Sequence, residues 1–215
     1  MKSPENIGSD ELAEKFAEIG RSKTFQVGEE VFAEGDLAEF MPMVLDGKVK
    51  VVRFLDQGKE VIINIFQNGD LFAIPPVLDG KKYPATAIAM EKSRMLLIYR
   101  GDFLRLREES KEFASMTITR MCDLLRETTS ALTNLATATP ELRVGNVLVR
   151  LAKKEVPHPR IKITLRRQDI ADMAGLTTET TIRAVRKLAD KGLLSIVSGK
   201  IVLDDLESLK KHLSR

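Results

Sequence analysis

Glycines stand at Gly47, Gly58, Gly69 and Gly80, each 11 residues after the last, and no other feature constrains the first half of the chain as tightly. Three of them follow a turn former, in Asp46-Gly47, Asn68-Gly69 and Asp79-Gly80. Between them lie short β-branched runs such as Lys48-Val49-Lys50-Val51-Val52 and Val61-Ile62-Ile63-Asn64-Ile65-Phe66. Evenly spaced turns separated by such runs leave no room for long helices and give a sandwich or barrel of short strands. Tight turns join antiparallel neighbours, so residues 1–110 are expected to form a double-stranded β-helix, or jelly roll. Such a roll encloses an apolar interior in which a small ligand can sit.

From about Glu112 to Ala136 the periodicity changes to that of a long helix. Ala114, Ile118, Met121, Leu125, Thr128, Leu132 and Leu135 are separated by alternating steps of four and three, the rhythm of a coiled-coil seam. A second row, Phe113, Met116, Leu124 and Ala131, is placed to pack on the β domain. A helix with two apolar faces has more than its own domain to cover, so residues 111–138 are expected to be a dimerisation helix meeting its copy about a two-fold axis. The alternative is that the seam packs on its own chain. Thr139-Pro140 then interrupts the helix, with Thr139 suited to cap a new helix and Pro140 to its first position.

Residues 139–215 are read as a winged helix-turn-helix. In Arg166-Arg167-Gln168-Asp169-Ile170-Ala171-Asp172-Met173-Ala174-Gly175-Leu176-Thr177-Thr178-Glu179-Thr180-Thr181-Ile182-Arg183-Ala184-Val185-Arg186-Lys187-Leu188, two short amphipathic helices flank a glycine turn. Ile170, Met173 and Ala174 form the inner face of the first helix; Thr177 caps the second, whose inner face is Thr181, Val185 and Leu188. Glu179, Ile182, Arg183 and Arg186 then share the outer face. Ser198-Gly199, between Ile196-Val197 and Lys200-Ile201-Val202-Leu203, marks a short hairpin, the wing.

That outer face suits a major groove of double-stranded DNA. Arginine bonds guanine in bidentate fashion, glutamate accepts from the cytosine amino group, and an aliphatic side chain touches a thymine methyl. The base-reading candidates are therefore Glu179 and Arg183, flanked by Thr178 and Ile182. Arg166, Arg167, Arg186, Lys187 and Lys200 are the phosphate candidates, which position rather than select. The bland alternative is a solvated helix on which Glu179 and Arg183 make a favourable i,i+4 pair. Charge favours the polyanion. Residues 1–140 carry 18 Lys+Arg against 22 Asp+Glu, a net −4, whereas residues 141–215 carry 16 against 9, a net +7, so the overall +3 hides a basic C-terminal part.

Composition removes other classes. Hydrophobic residues make up 43% and charged residues 30%, an ordinary globular balance. No window approaches 18 consecutive apolar residues, and the polar start Met1-Lys2-Ser3-Pro4-Glu5 lacks the core of a secretory signal, so a cytoplasmic protein with no membrane contact is expected. The lone Cys122 excludes an intrachain disulfide and a multi-cysteine metal site. Both histidines, His158 and His212, lie outside the barrel region, which argues against a metal enzyme of the double-stranded β-helix type. No metal and no catalytic residue is assigned.

The chain resembles the CRP/FNR family of bacterial transcription regulators from Phe25 to its C-terminus. The resemblance rests on Val27-Gly28-Glu29-Glu30-Val31-Phe32-Ala33-Glu34-Gly35-Asp36, Gly47-Lys48-Val49-Lys50-Val51 and Asn68-Gly69-Asp70-Leu71-Phe72. In the second half it rests on Gln168-Asp169-Ile170-Ala171, Gly175-Leu176-Thr177, Glu179-Thr180 with Arg183, and Lys191-Gly192-Leu193-Leu194. It implies an effector-binding β-roll, a dimer helix and a winged helix-turn-helix. It further implies that Glu179 and Arg183 read a Thy-Gly-Ala core in each half of a palindrome, and that RNA polymerase is a partner if the protein activates.

The resemblance to the cyclic-AMP members breaks at the ligand. Where they carry a Gly-Glu pair for ribose and an Arg-Ser pair for the cyclic phosphate, this chain reads Phe72-Ala73-Ile74-Pro75-Pro76 and Tyr83-Pro84-Ala85-Thr86. A buried phosphate without its arginine is costly to desolvate, so a cyclic-nucleotide-binding role is disfavoured. Thr128 and Thr129 align with hydroxyls that meet adenine in that subfamily, and heptad spacing accounts for Thr128 equally well. The expected effector pocket comprises Phe72, Ile74, Pro75, Tyr83, Thr128 and Thr129, apolar enough for a neutral ligand, and the same residues serve equally as plain core. The Tyr-Pro-Ala segment is similar to members that answer to nitrosative or redox stress. The effector itself is unassigned; a haem-dependent gas sensor is the alternative, with Met41, Met43, Met90, Met95, Cys122 or Tyr83 as axial ligand.

Overall fold

The computed structural model describes residues 10–55, 60–137, 139–152 and 160–213, with side chains except at 10–14, 127 and 130–137. Gly58, Leu132 and Leu135 therefore fall outside the described turns and side chains. The chain divides into two compact units, residues 1–127 and 128–215.

The first element described is a helix, α1 (Asp10–Ile19), in a segment expected to be wholly β. Seven strands follow: β1 (Arg21–Phe25), β2 (Glu30–Phe32), β3 (Phe40–Asp46), β4 (Lys48–Phe54), β5 (Glu60–Gln67), β6 (Thr86–Ala89) and β7 (Ser93–Tyr99). A short helix, α2 (Ile74–Asp79), lies between β5 and β6, and α3 (Arg100–Glu109) leads into the long α4 (Lys111–Thr137). The strands form two antiparallel sheets, ordered β1-β7-β3 and β2-β6-β4-β5. One core cluster takes Phe25, Met43 and Met95 from the first sheet and Phe32, Val49 and Ala87 from the second, so the two sheets close on each other as a roll. Phe16 of α1 and Phe103 of α3 each meet Phe113 of α4 edge-on, at 5.6 and 5.3 Å between centroids, and this aromatic trio ties the helices together.

The glycine rhythm marks chain reversals of different kinds. Gly47 turns β3 into β4 at φ +91°, and a Cβ there would lie 2.3 Å from Ser93 Oγ and 2.7 Å from Ser93 Cα, so only glycine fits. Gly69 donates its N–H to Val44 O at 2.8 Å, while Asp70 accepts from the Gln67 N–H at 3.0 Å. Gly80 ends a helix instead of a strand. Pro75 and Pro76 occupy the first turn of α2, where a missing N–H costs nothing, and Gly80 donates back to Pro76 O. Entry into α2 forces Ala73 to φ +61° and ψ +25°, a left-handed conformation without glycine's freedom. Ala73→Gly is expected to stabilise the first unit by about 0.5–1 kcal/mol, strain relief exceeding the extra unfolded-state entropy. Chemical denaturation checks this; an unchanged or lower midpoint shows that Ala73 carries no strain.

The second unit contains the end of α4, then α5 (Pro140–Ala152), β8 (Ile161–Ile163), α6 (Arg167–Ala174), α7 (Thr178–Asp190), β9 (Ser195–Val197), β10 (Lys200–Leu203) and α8 (Leu206–Leu213). Thr139 caps α5, its Oγ1 accepting from the Leu142 N–H at 3.4 Å. Val144, Val147, Leu148 and Ala152 bury one face of α5. On the same helix Gly145 admits α8 closely: a Cβ there would stand 2.5 Å from a methyl of Leu213. The small antiparallel sheet is ordered β8-β10-β9. Its hairpin turns on Ser198 (φ +48°) and Gly199 (φ +75°), two left-handed residues in succession as a type I′ turn requires.

Candidate nucleic-acid interface

Helices α6 and α7 meet at Gly175, whose φ of +62° ends α6 and whose carbonyl accepts from Arg143 Nη2 of α5 at 3.1 Å. Thr177 then caps α7, Oγ1 accepting from the Thr180 N–H at 3.2 Å. Ile170, Ala171 and Ala174 of α6 and Thr181, Ala184, Val185 and Leu188 of α7 are buried. Met173, expected on the inner face, is only half-buried, because Ala171 is turned inward beside Ile170 and Ala174. On the opposite side of α7, Glu179, Arg183 and Arg186 are exposed and Ile182 is half-buried beside them. Glu179 and Arg183 are ion-paired at 2.9 Å with side chains 79% and 67% exposed, so the pair holds its geometry while facing outward. Thr178 differs from expectation. Its hydroxyl donates to Gln168 Oε1, and Gln168 Nε2 donates to Asp172 at 2.7 Å, so this flanking residue is tied back to α6.

The five cations expected on phosphate fare unequally. Arg166 is gripped by Asp169, which is 2% exposed and accepts from the Arg166 backbone N–H at 3.1 Å and from its Nη2 at 3.0 Å. Arg167 donates to Gly199 O at 3.1 Å, pinning the wing turn to the start of α6; burial pulls its pKa below the ordinary guanidinium value. Lys200 reaches Thr164 O at 3.4 Å. Lys187 points to α5, where Glu141 takes it at 2.7 Å. Arg186 alone of the five makes no hydrogen bond or ion pair among the described residues. Arg166 is held locally, three residues from Asp169, whereas Gly199 and Glu141 are distant in sequence from Arg167 and Lys187, the cations they hold.

In the first unit, the residues expected to line an effector pocket are packed as core. Phe72, Ile74 and Tyr83 are 4%, 5% and 2% exposed, and Pro75 is half-buried. Tyr83 stacks on Phe32 at 3.7 Å and 9°, and Phe72 stacks on Phe66 at 4.6 Å and 11°. The Tyr83 hydroxyl donates to Phe40 O at 2.6 Å and accepts from the Phe40 N–H at 3.3 Å, and burial pushes its pKa up to about 12, so it stays neutral. Thr128 and Thr129 lie in the second unit and are exposed. Apolar residues of this size fill space with one another where the sequence alone leaves room for a ligand.

On α4 the two apolar rows separate. Phe113 is buried and Met116 and Met121 pack on the core of the first unit, so Met121 leaves the expected seam for the inner face. Leu124, expected with Phe113 and Met116, is instead 43% exposed. Ile118 and Leu125, seven residues apart, are 65% and 69% exposed, and Cys122 and Thr128 are exposed with them.

The Cyclic nucleotide-binding domain family matches residues 22–110, and the Crp-like helix-turn-helix domain family matches residues 142–212. Between them they span both the roll and the winged helix. The chain belongs to the CRP/FNR family of transcription regulators. Among CRP/FNR relatives, the Cyclic AMP receptor protein of Thermus thermophilus is 26% identical over 189 residues, 88% of this chain and 86% of that protein. The Nitrogen fixation regulation protein FixK of Bradyrhizobium diazoefficiens is 28% identical over 208 residues, 93% of this chain and 84% of that protein. The structure of FixK2 from Bradyrhizobium japonicum has the same fold, with a TM-score of 0.80 at 23% identity, covering 90% of this chain and 96% of that one.

As a CRP/FNR member the chain is a DNA-binding transcription regulator with an effector-binding domain, and its relatives are regulators, not enzymes. No helix among the described residues is long and apolar enough to cross a membrane. Of the six candidate haem ligands, Met90 is half-buried and Cys122 exposed, while the other four are packed in the core. Met41, Met43 and Met95 are 0%, 4% and 0% exposed inside the roll, and the Tyr83 hydroxyl is occupied by Phe40.

Proposed function

We propose that this CRP/FNR regulator binds DNA as a homodimer and reads a palindrome with a Thy-Gly-Ala core in each half-site. Glu179 and Arg183 are the base readers, with Glu179 accepting from a cytosine amino group and Arg183 donating to a guanine. Ile182 beside them offers its side chain to a thymine methyl, and Thr178 borders the pair. Arg186, Arg166 and the wing residue Lys200 supply phosphate contacts that set register. Residues 111–138 form the dimer helix between a roll of residues 1–110 and a winged helix of residues 139–215, and the exposed Ile118 and Leu125 form the seam. A two-fold dimer places two copies of α7 about one DNA turn apart, matching a palindrome. The protein works in the cytoplasm, where a small effector bound by the roll shifts the population of DNA-competent dimers. A cyclic nucleotide is disfavoured as that effector: Pro84 and Ile74 stand where the cyclic-AMP members hold phosphate and ribose. In an activator role its partner is RNA polymerase.

The observation that carries the reading is the exposed Glu179–Arg183 pair on the outer face of a capped α7. The test is selection from a pool of palindromic duplexes with a fixed Thy-Gly-Ala core and randomised flanks, at one salt concentration because affinity depends steeply on it. Enrichment of the fixed core over a scrambled core is expected. Equal recovery of both, with and without haem, nitric oxide and cyclic AMP, overturns the reading.

A further inference from the structure

Helix α5 holds α7 at both ends. Near its N-terminus Arg143 takes the carbonyl of Gly175, in the turn that leads into α7. In the first turn of the same helix Glu141 receives two ammonium groups from the far end of α7, Lys187 Nζ at 2.7 Å and Lys191 Nζ at 3.1 Å, one to each carboxylate oxygen. The arrangement is electrostatically consistent throughout. A carboxylate at the start of α5 faces that helix's positive end, and Lys187 in the last turn of α7 and Lys191 at its C-cap face the negative end of theirs. The Glu141 side chain is 22% exposed, so the pairs are partly shielded from solvent. The two lysines hold its carboxyl below the usual carboxylate range, which keeps it charged at neutral pH.

Lys187 lies directly after Arg186, the outer-face cation whose side chain has no hydrogen-bond or ion-pair partner among the described residues. Two more mobile ammonium groups at this end of α7 would add affinity for any duplex, because phosphate contacts carry no sequence information. We infer that Glu141 is a specificity-determining residue: it holds Lys187 and Lys191 on α5 and off the DNA backbone, so that sequence-blind attraction at this end of α7 is limited to Arg186. The inference rests on the DNA-binding assignment but not on the identity of the half-site.

The test uses the full-length protein and a duplex lacking any Thy-Gly-Ala palindrome, with affinity followed between about 50 and 200 mM KCl. Three forms are compared: the wild type, Glu141→Gln, and Lys187→Gln with Lys191→Gln together. For Glu141→Gln the slope of log affinity against log salt is expected to steepen by up to about 2, roughly 0.9 for each released lysine, and the preference for a palindromic over a random duplex is expected to fall. For the double lysine variant with Glu141 intact the slope is expected to stay at the wild-type value. A slope that drops by about 2 in the double lysine variant means both ammonium groups already sit on phosphate and overturns the inference. So does an unchanged slope in a Glu141→Gln protein whose circular dichroism is native. Should Glu141→Gln fail to fold, the double lysine variant decides alone. A wild type that binds no duplex at any salt overturns the DNA-binding assignment itself, an outcome distinct from any change of slope.

Discussion

Leu125→Asp is expected to convert the protein from dimer to monomer while leaving each copy folded. The Leu125 side chain is 69% exposed in the single chain, so within one copy the substitution removes little buried surface and costs at most about 0.5 kcal/mol. In a two-fold seam the same position occurs twice, each copy meeting the other's helix. Two carboxylates are then driven into an apolar contact, at a cost of roughly 2 kcal/mol or more each. A combined loss of about 4 kcal/mol weakens dimerisation by about a thousandfold. Light scattering reports the mass and circular dichroism the fold. The neighbouring Met121 does not serve as the probe, since it packs on the core of the first unit and its loss would disturb the fold of one copy. A Leu125→Asp protein that remains dimeric at micromolar concentration shows that the seam lies elsewhere.

The contrast between Leu125 and Met121 also shows what the sequence tells and what it withholds. The heptad rhythm on α4 is plain in the chain, and so is the presence of two apolar rows. Which row turns inward depends on the phase of the helix against the roll, and that phase is set by Phe113 meeting Phe16 and Phe103. Those aromatic partners come from separate parts of the chain, and no window of α4 contains them.

The helix-turn-helix was legible for the opposite reason: its determinants are local. Gly175 must take a positive φ, Thr177 caps the helix that starts one residue later, and Ser198-Gly199 supplies both left-handed residues of the wing turn. Arg166 and Arg183 have local partners, Asp169 and Glu179, but those of Lys187 and Arg167 are not local. Lys187 and Glu141 are 46 positions apart and Arg167 and Gly199 are 32 apart, so the chain announces the charges without showing what quenches them. Composition does not separate an effector pocket from core. Phe72, Ile74 and Tyr83 suit a ligand-lined cavity and a packed core alike, and only the stacking of Tyr83 on Phe32 and of Phe72 on Phe66 separates the two. The signal available in advance was the density of aromatics at Phe32, Phe40, Phe66, Phe72 and Tyr83 within one small roll.

Arg183→Ala is expected to cost roughly 1–3 kcal/mol of specific DNA binding and to relax preference at the guanine of each half-site. The side chain is 67% exposed and its partner within the chain, Glu179, is 79% exposed, so removing it leaves no buried charge and the fold is unaffected. The loss is therefore assignable to the interface. The substitution also frees Glu179, whose carboxylate no longer has the guanidinium 2.9 Å away to offset repulsion from the DNA. The effect on cognate DNA is expected to exceed the effect on random duplex, because losing one phosphate-type charge would weaken both alike and reduce the salt slope by about 1. Competition binding of cognate against scrambled duplex at fixed salt separates the two roles. A fall in the cognate-to-scrambled ratio by tenfold or more, with the palindrome's guanine now replaceable, places Arg183 on a base edge. Equal losses on both duplexes would place it on the backbone and leave base reading to Glu179 and Ile182.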